Sequence, residues 1–336
     1  MSGISCWAVT DGAAGIENQV VGLAEALGLE PQIKRIRLRS PWKQLVPYFR
    51  LGIGQAFDPA GDLLTPPWPD LLLTSGRKAI AASFAVAGAT RAAGRRCLRV
   101  HVQDPVCGAE HFDLLVVPRH DRLRADNVIL TCGSLHRITP ARLTAAARQF
   151  ADRLAHWPRP RVAVLIGGAN RAFRFTPAIA ADMAQSLATL AQTAGASLLV
   201  TASRRTDPAV NAALRARLDG LPGEFWNGEG ENPYFAYLAL ADAILVTCDS
   251  ISMASEACAT GKPVQILALP GGAPKFAAFH RTLQEAGHSR PFTGTLETWP
   301  VTALDDMTPV VAVIRQRLGL TTAGAPLTAV PAGEPA

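Results

Sequence analysis

Long apolar runs, cysteine motifs and a secretory leader are all missing from this sequence. Its 336 residues contain no apolar run of 18 or more, so no segment is predicted to span a bilayer. The six cysteines form no CxxC pair and no metal-ligand spacing, and we expect them to be buried and reduced. The opening MSGISCWAVTDG has neither a basic leader nor a cleavable apolar core, which predicts a cytoplasmic protein.

Two loop motifs that bind diphosphates are also absent. The sequence has no DxD, the motif with which metal-dependent transferases hold a diphosphate through a cation. It has no GxGxxG either, which is the fingerprint of dinucleotide-binding folds. We therefore expect no metal ion and no cofactor.

The residues that are present predict an α/β protein of two domains. Hydrophobic residues make up 49% and charged residues 18%, which is a globular composition, and the chain is long for one core. A buried strand, a glycine loop and a helix open the chain and occur again from residue 161, after the helix-breaking WPRPR (157–161). The predicted parts are domains at 1–157 and 158–300, a last helix at 301–318 and a disordered tail at 319–336.

The charge is concentrated in the first half, where residues 1–160 carry a net +7 against −1 for the remainder. This imbalance predicts an anionic partner, such as a membrane surface, a phosphorylated lipid or a nucleic acid; a solvated arginine-rich surface is the alternative. Nucleic acid is the least favoured, because basic and aromatic residues are not interleaved. Trp42 and Phe49 accompany Lys43 and Arg50 in segment 41–57, which suits a membrane interface. Packing against the first sheet is the competing interpretation.

The most informative stretch, residues 243–269, predicts a buried strand, a capped helix and a second strand. Loops at the carboxyl ends of parallel strands bind ligands in α/β sheets, and a helix start offers free N–H groups to an anion. Ser250 and Ser252 add hydroxyls there, and Met253 can pack on a ring. Glu256, further along the helix, can accept both hydroxyls of a ribose. A solvated helical glutamate is the alternative.

Four segments together resemble the mitochondrial fission (elongated-mitochondria) family: TDGAAGIENQ, GGANRAFRF, ENPYFAYLALADAI and TCDSISMASEACATGKPV. Bacterial members of that family are regarded as GT-B glycosyltransferases. SISMASEACATGKPV is also similar, more distantly, to the nucleotide-sugar signature of the lipid-linked peptidoglycan N-acetylglucosaminyltransferase. The resemblance covers about residues 4–318. It implies a GT-B-like α/β fold, in which two Rossmann-like domains face a cleft and the last helix packs back toward the first domain.

The resemblance also implies a function. The expected protein is a metal-independent, inverting glycosyltransferase that takes a sugar from a UDP-type donor held by the second domain. Its acceptor would be a lipid-linked or cell-envelope glycan on the side of the first domain, which implies a peripheral position on the inner face of the plasma membrane. A nucleotide-sugar 2-epimerase and a non-catalytic recruitment scaffold are the alternatives.

Loops at predicted strand ends supply the donor-binding candidates. Glycines permit close approach to phosphates, and guanidinium groups match phosphate oxygens. An exposed basic turn at 203–205 and a plain helix start at 232–234 are the alternatives. The predicted donor site consists of Gly168, Asn170, Arg174, Ser203, Arg204, Arg205, Asn232, Tyr234, Ser250, Ser252, Met253 and Glu256.

The candidate bases also follow predicted strands. Asp11 is the first choice and Asp104 the second, because a carboxylate there can take the proton of an acceptor hydroxyl. His120 is a third candidate, since an unperturbed histidine titrates near neutrality. Asp11 as a simple cap and His120 as a surface histidine are the alternatives.

Overall fold

Two parallel β-sheets form the frame of the protein. The computed structural model describes residues 3–320, so the predicted tail at 319–336 lies outside the described residues except for its first two positions. The strands are β1 (Cys6–Thr10), β2 (Gln32–Arg35), β3 (Leu71–Ser75), β4 (Leu98–Val102), β5 (Leu114–Pro118), β6 (Val128–Thr131), β7 (Arg161–Ile166), β8 (Ser197–Ala202), β9 (Gly223–Phe225), β10 (Ala243–Thr247), β11 (Val264–Leu267) and β12 (Arg290–Pro291).

Helices cover both faces of each sheet, which explains why strands such as β3 and β10 are buried throughout. This arrangement confirms the predicted α/β, GT-B-like fold. The α-helices of the described residues are α1 (Ala14–Ala26), α2 (Trp42–Leu45), α3 (Ile80–Ala92), α4 (Pro140–Gln149), α5 (Ala151–Leu154), α6 (Pro177–Ala194), α7 (Pro208–Leu218), α8 (Tyr234–Leu240), α9 (Ile251–Cys258), α10 (Pro274–Glu285) and α11 (Met307–Arg317). Within residues 3–320, no helix has the length and apolarity needed to cross a membrane.

Each sheet reverses its strand order once. The first has the order β2-β1-β3-β4-β5-β6. Strand β2 lies on one side of β1 and the later strands lie on the other, so the switch point is between β1 and β3. The second has the order β12-β11-β10-β7-β8-β9, which places the change between β7 and β10. Ligands of open α/β sheets bind outside the carboxyl ends of the strands at such switch points.

Three helices connect the two halves of the molecule, each half being one sheet with the helices that cover it. Helices α4 and α5 precede residue 157, yet Phe150 and Leu154 join the core of the second sheet, and the Arg142 guanidinium lies 5.4 Å from the ring centre of Phe235 in α8. Helix α11 follows the second sheet, but its Val310 and Ile314 belong to the core against the first. Apolar side chains on these helices therefore tie each half to the other.

The loop after β6 makes a close contact between the halves. Asp306 accepts hydrogen bonds from the N–H groups of Cys132 (2.9 Å) and Gly133 (2.7 Å). The N–H of Ser134 donates to the hydroxyl of Ser255 in α9 at 2.9 Å. A Cβ on Gly133 would lie 2.5 Å from that hydroxyl oxygen, so only glycine fits here.

Gly133→Ala is therefore expected to destabilise the protein. Overpacking of this kind costs about 1–3 kcal/mol, which corresponds to a fall of about 2–10 °C in melting temperature. Gly88→Ala in α3 is the matched control, because a Cβ there meets nothing within 4 Å and should leave the melting temperature unchanged or slightly raised. Equal melting temperatures for Gly133→Ala and wild type would contradict this contact between the halves.

Candidate functional site

Asp11 lies at the switch point of the first sheet. It follows β1, and Lys78 follows β3 on the neighbouring strand; the Lys78 Nζ is 3.0 Å from Asp11 Oδ2. The other carboxylate oxygen accepts a 3.3 Å hydrogen bond from the N–H of Ala13. Asp11 thus caps the turn and forms an ion pair at the same time. Its role as a base stays a prediction.

The glycine loop after β7 occupies the switch point of the second sheet. The N–H of Gly167 donates to the Thr247 hydroxyl at 2.8 Å, and the N–H of Gly168 donates to Asp249 Oδ2 at 2.9 Å. A Cβ on Gly167 would lie 2.3 Å from the Asp249 carboxylate. Gly167 is thus required for the approach of Asp249, whereas a Cβ on Gly168 would lie 2.5 Å from the backbone oxygen of Arg205. The N–H groups of both glycines have partners inside the protein in this structure.

Asp249 is a feature of the site that the sequence did not single out beyond a capping role. Its side chain is completely buried, and burial raises the pKa of its carboxyl. Oδ1 has no hydrogen-bond partner within residues 3–320. The helix cap is Ser250 instead, whose hydroxyl accepts from the N–H of Met253 at 3.4 Å. A carboxylate two residues beyond a buried strand at a switch point was the signal available in the sequence.

One face of α9 contacts the first half of the protein. A Cβ on Gly15, at the start of α1, would lie 3.3 Å from the Ser252 hydroxyl, and Ser255 bonds to the loop after β6. Residues three and four positions apart share a face of a helix, so Glu256 lies on the same face as Ser252. The two switch points therefore meet at the start of α9.

Glu256 is buried, with only 8% of its surface exposed, so it is not a solvated surface glutamate. Its Oε2 accepts a hydrogen bond from the hydroxyl of Tyr234, at the start of α8. Burial raises the pKa of Glu256 to about 7, against a smaller opposing effect of the Tyr234 hydrogen bond. The structure thus brings together Glu256 and Tyr234, which the sequence assigned to ribose and base.

The basic candidates lie at the rim of the same region. Arg174, Arg204 and Arg205 are exposed, and Arg205 lies 3.9 Å from Asp249 Oδ2. The pKa of Glu17 is lowered mainly by its hydrogen bond to Arg35, with a further contribution from the charge of Arg204. Arg204 therefore lies near enough to Glu17, in α1 of the first half, for its charge to act on that carboxyl.

The side chains of three polar candidates accept hydrogen bonds from N–H groups of their own loops. The Asn170 side-chain oxygen accepts from the N–H groups of Ala172 (2.8 Å) and Phe173 (3.0 Å). The Ser203 hydroxyl accepts from the N–H of Arg205 at 2.9 Å. The Asn232 oxygen accepts from the N–H of Tyr234 at 3.0 Å. Their contact with a donor stays a prediction.

Asp104 stands apart from the other candidates. It follows β4, which is separated from β1 by β3, and its Oδ1 accepts from the N–H of Val106 at 2.8 Å. Within residues 3–320, no hydrogen bond or ion pair joins it to another predicted site residue. Position thus favours Asp11 over Asp104.

A cavity of about 460 Å³ opens beside this region. It is bounded by the end of β10, the loop after β11 and the start of α10. His280 lines it. The ring of the buried Phe279 packs edge-on to two imidazoles, with ring centres 5.5 Å from His120, in the loop after β5, and 5.0 Å from His280. The sequence named His120 as an acid or base, but gave no sign that it meets His280.

Segment 41–57 packs in part against the first half, and its contact with a membrane stays a prediction. Val46 and Phe57 are buried in the first half. Leu45, Tyr48 and Leu51 are exposed to 45%, 74% and 80%. An apolar surface flanked by basic residues thus remains uncovered within the described part of the chain.

The chain is similar to known proteins in sequence. The family model described as mitochondrial fission ELM1 matches residues 14–318. The mitochondrial fission protein ELM1 of Arabidopsis thaliana is 33% identical over 277 aligned positions, and the match covers 74% of this chain and 64% of the plant protein. The match thus spans less than two thirds of that relative. An uncharacterized protein of Rickettsia prowazekii is 24% identical, and the match covers 93% of this chain and 98% of that one.

Solved structures of UDP-GlcNAc 2-epimerases share the fold. The Methanocaldococcus jannaschii enzyme, in complex with UDP-GlcNAc and UDP, has a TM-score of 0.54 at 10% identity, covering 94% of this chain and 99% of that one. The Neisseria meningitidis enzyme, bound to UDP-GlcNAc, has a TM-score of 0.50 at 12% identity, covering 94% and 100%. At such identities the likeness shows the fold alone. The match of the family model over nearly the whole described chain shows that this protein belongs to the mitochondrial fission ELM1 family.

Proposed function

We propose that the protein binds a nucleoside-diphosphate sugar between its two halves and transfers the sugar to an acceptor hydroxyl. The observation that carries this proposal is the burial of Glu256 on the face of α9 that meets the first half. Within residues 3–320 the Tyr234 hydroxyl is the hydrogen-bond donor to this carboxylate, and further donors would offset the cost of desolvating its charge. A ribose, with two adjacent hydroxyl donors, suits such a group.

The geometry of α9 also suggests where the diphosphate of the nucleotide would bind. Ser252 precedes Glu256 by one helical turn, about 6 Å along the axis. A diphosphate at the N-terminus of α9 would receive the free N–H groups, the helix dipole and the hydroxyl of Ser252. Arg174 and Arg204 lie exposed at the rim and can add charge. These groups would stabilise the leaving diphosphate, in a chain without a DxD motif.

Asp11 is the proposed base, and Lys78 is its positioning partner. The Lys78 ammonium lies 3.0 Å from Asp11 Oδ2 and holds that oxygen in place. Asp11 would take the proton from the acceptor hydroxyl while the acceptor oxygen bonds to the anomeric carbon. The bond from that carbon to the diphosphate oxygen breaks, and the nucleoside diphosphate leaves with the electron pair. A single displacement of this kind inverts the anomeric centre.

Binding of UDP-glucose is expected to tighten as the pH rises from 6 to 8. The pKa of Glu256 is about 7, so the carboxyl is mostly protonated at pH 6 and mostly ionised at pH 8. Because the ionised form accepts with both oxygens, we expect a gain of up to about 10-fold in affinity. Calorimetry across this range checks the profile. Glu256→Gln is the control and should give a flat profile; an equally flat wild-type profile would contradict the ribose role.

The same shift has a consequence for stability. Because the folded pKa of about 7 exceeds the ordinary value of 4.5, the folded protein holds a proton that the unfolded chain releases between these values. This group therefore makes the ligand-free protein less stable as the pH rises from 4.5 to 7. A ligand that prefers the ionised carboxylate offsets that loss.

The acceptor side is proposed to meet a membrane. The exposed Leu45, Tyr48 and Leu51 lie beside the basic Lys43 and Arg50, a combination suited to an anionic bilayer surface. Wild-type protein is expected to sediment with vesicles containing anionic lipid, and Tyr48→Ser with Leu51→Ser to abolish most of this. Sedimentation that does not change in the double variant would remove the membrane from the proposal.

Two alternatives have specific support. The fold is shared with UDP-GlcNAc 2-epimerases, and conversion of a UDP-sugar without any acceptor would favour epimerisation. The curated plant relative is a mitochondrial fission protein, which supports a recruitment scaffold. Absence of binding across a panel of nucleotide sugars would favour the scaffold.

A further inference from the structure

Loop 119–124, which follows β5 in the first half, contacts α10 of the second half. Lys275 Nζ lies 3.0 Å from Asp121 Oδ1 and 3.2 Å from Oδ2. The ring of His120 packs edge-on to Phe279, with 5.5 Å between ring centres, and Phe279 is completely buried. An ion pair and an aromatic contact therefore join the two halves next to the cavity at the start of α10.

The loop keeps its shape through hydrogen bonds within the first half. The Arg124 guanidinium donates to the backbone oxygens of Asp121 at 2.6 Å and Arg119 at 2.9 Å. These bonds do not involve α10. If the contact with α10 is lost, His120 and Asp121 therefore stay together in the loop.

The imidazole of His120 lies in an unfavourable environment. Both ring nitrogens are buried, and neither has a hydrogen-bond partner within residues 3–320. A buried polar group without a partner loses the hydrogen bonds that water would give it. Release of the ring into water restores these bonds and offsets part of the packing that is lost against Phe279. The aromatic contact is therefore weaker than its packing alone suggests.

The charges that act on His120 come from its own loop and from α10. Burial lowers the pKa of His120 to about 4; the carboxylate of Asp121 opposes this shift, and the charges of Lys275 and His280 add to it. Two of these three groups belong to α10, and both disfavour a proton on His120. While α10 is in contact, the ring is thus neutral at pH 7.

Separation from α10 reverses these conditions. The ring of His120 returns to water, where the ordinary pKa of an imidazole is 6.5, and Lys275 no longer neutralises Asp121. A proton on His120 then supplies the counter-charge in its place. Because the pKa is about 4 in contact with α10 and 6.5 after separation, the contact is fully favoured above pH 6.5 and is weakened as the pH falls from 6.5 towards 4.

We propose that loop 119–124 and α10 form a latch between the halves, which is closed while His120 is neutral and is released when its imidazole takes up a proton. Lys275 and protonated His120 are then alternative partners of Asp121. The inference does not rest on the proposed function, since the latch needs no nucleotide. Release would give solvent more access to the cavity at the start of α10.

Hydroxyl-radical footprinting of the ligand-free protein at pH 7.5 and pH 5.5 tests the latch. Phe279 is covered by His120 while the latch is closed, and its oxidation rate, divided by that of the exposed Tyr48, measures release. In wild type this ratio is expected to rise about 10-fold at pH 5.5, as pKa values of about 4 and 6.5 require. His156→Phe, in which an exposed histidine is replaced, is the control and should show the same rise.

Two variants separate the contribution of the proton from that of the ion pair. His120→Phe keeps an aromatic ring against Phe279 but cannot take a proton, so its ratio should differ less than about twofold between the two pH values. Lys275→Met removes the partner of Asp121 and should raise the ratio already at pH 7.5.

An equal ratio for wild type at both pH values, the full rise in His120→Phe, or an unchanged ratio in Lys275→Met overturns the inference. These results leave the nucleotide site untouched, and a protein that fails to bind UDP would keep its latch. Should His120→Phe not fold, as judged by its melting curve, His120→Gln provides the same comparison, because an amide does not titrate.

Discussion

Asp11→Asn is expected to lower kcat by about 10²–10⁴-fold while donor binding stays within about twofold, because general-base catalysis contributes rate rather than ground-state affinity. Asparagine keeps the side-chain oxygen that accepts from Ala13, so the turn should survive. It cannot take a proton. The measurement is the rate of UDP release in the presence of acceptor, alongside calorimetric affinity for the donor.

Asp104→Asn is the matched control for this prediction. Asp104 is also a carboxylate beyond a strand of the first sheet, but β3 separates its strand from β1. Its kcat should stay within about threefold of wild type. Full activity in the Asp11 variant would remove Asp11 as the base, and loss of activity in the Asp104 variant alone would exchange the two roles.

Glu256→Ala is expected to weaken UDP binding about 10–100-fold, the equivalent of about 1–3 kcal/mol for lost charge-assisted hydrogen bonds. Calorimetry at pH 8 is the appropriate test, because the wild-type carboxyl, with a pKa of about 7, is then ionised. Removing the buried carboxylate also frees Tyr234, so the melting temperature is recorded in parallel.

Glu285→Ala controls for the loss of a helical glutamate, since Glu285 ends α10 and is exposed. It should leave UDP affinity unchanged. Equal affinities of wild type and Glu256→Ala would show that the carboxylate is buried for structural reasons alone. The nucleotide would then have no anchor at α9.

The architecture and the start of α9 could be predicted from the sequence because both depend on local patterns. Apolar runs such as 71–73 and 244–246 indicate strands that are covered on both faces. A serine before a helix predicts an N-terminal cap, and Ser250 has that role in α9. The position of Glu256 relative to Ser252 follows from the helical repeat. Its burial does not, because that depends on the helix supplying Tyr234.

The contacts between distant segments could not be predicted. His120 and His280 are far apart in the chain, and no local pattern shows that β5 and α10 bring them together. Gly167 and Gly168 suggested a phosphate loop, but their N–H groups bond to Thr247 and Asp249. A strand-loop-helix pattern is the same whether the loop receives a ligand or a carboxylate of its own chain.

The helices before WPRPR are another case in which contacts between distant segments could not be predicted. The prolines in this segment correctly indicated that a helix ends and a strand begins. They carried no information on which sheet the apolar side of that helix covers, and Phe150 and Leu154 pack against the second. Fold class is thus a local property to a large extent, whereas the site is built by tertiary contacts.

Hydrogen exchange of the wild-type protein with and without UDP-N-acetylglucosamine tests the central claim most directly. The account predicts slower amide exchange at the start of α9 (251–256) and at the start of α8, with a smaller effect after β1. Helices remote from the cleft, such as α6, should not change. Unchanged exchange at α9 with millimolar ligand, or protection confined to another surface, would contradict a nucleotide-sugar site at the paired switch points.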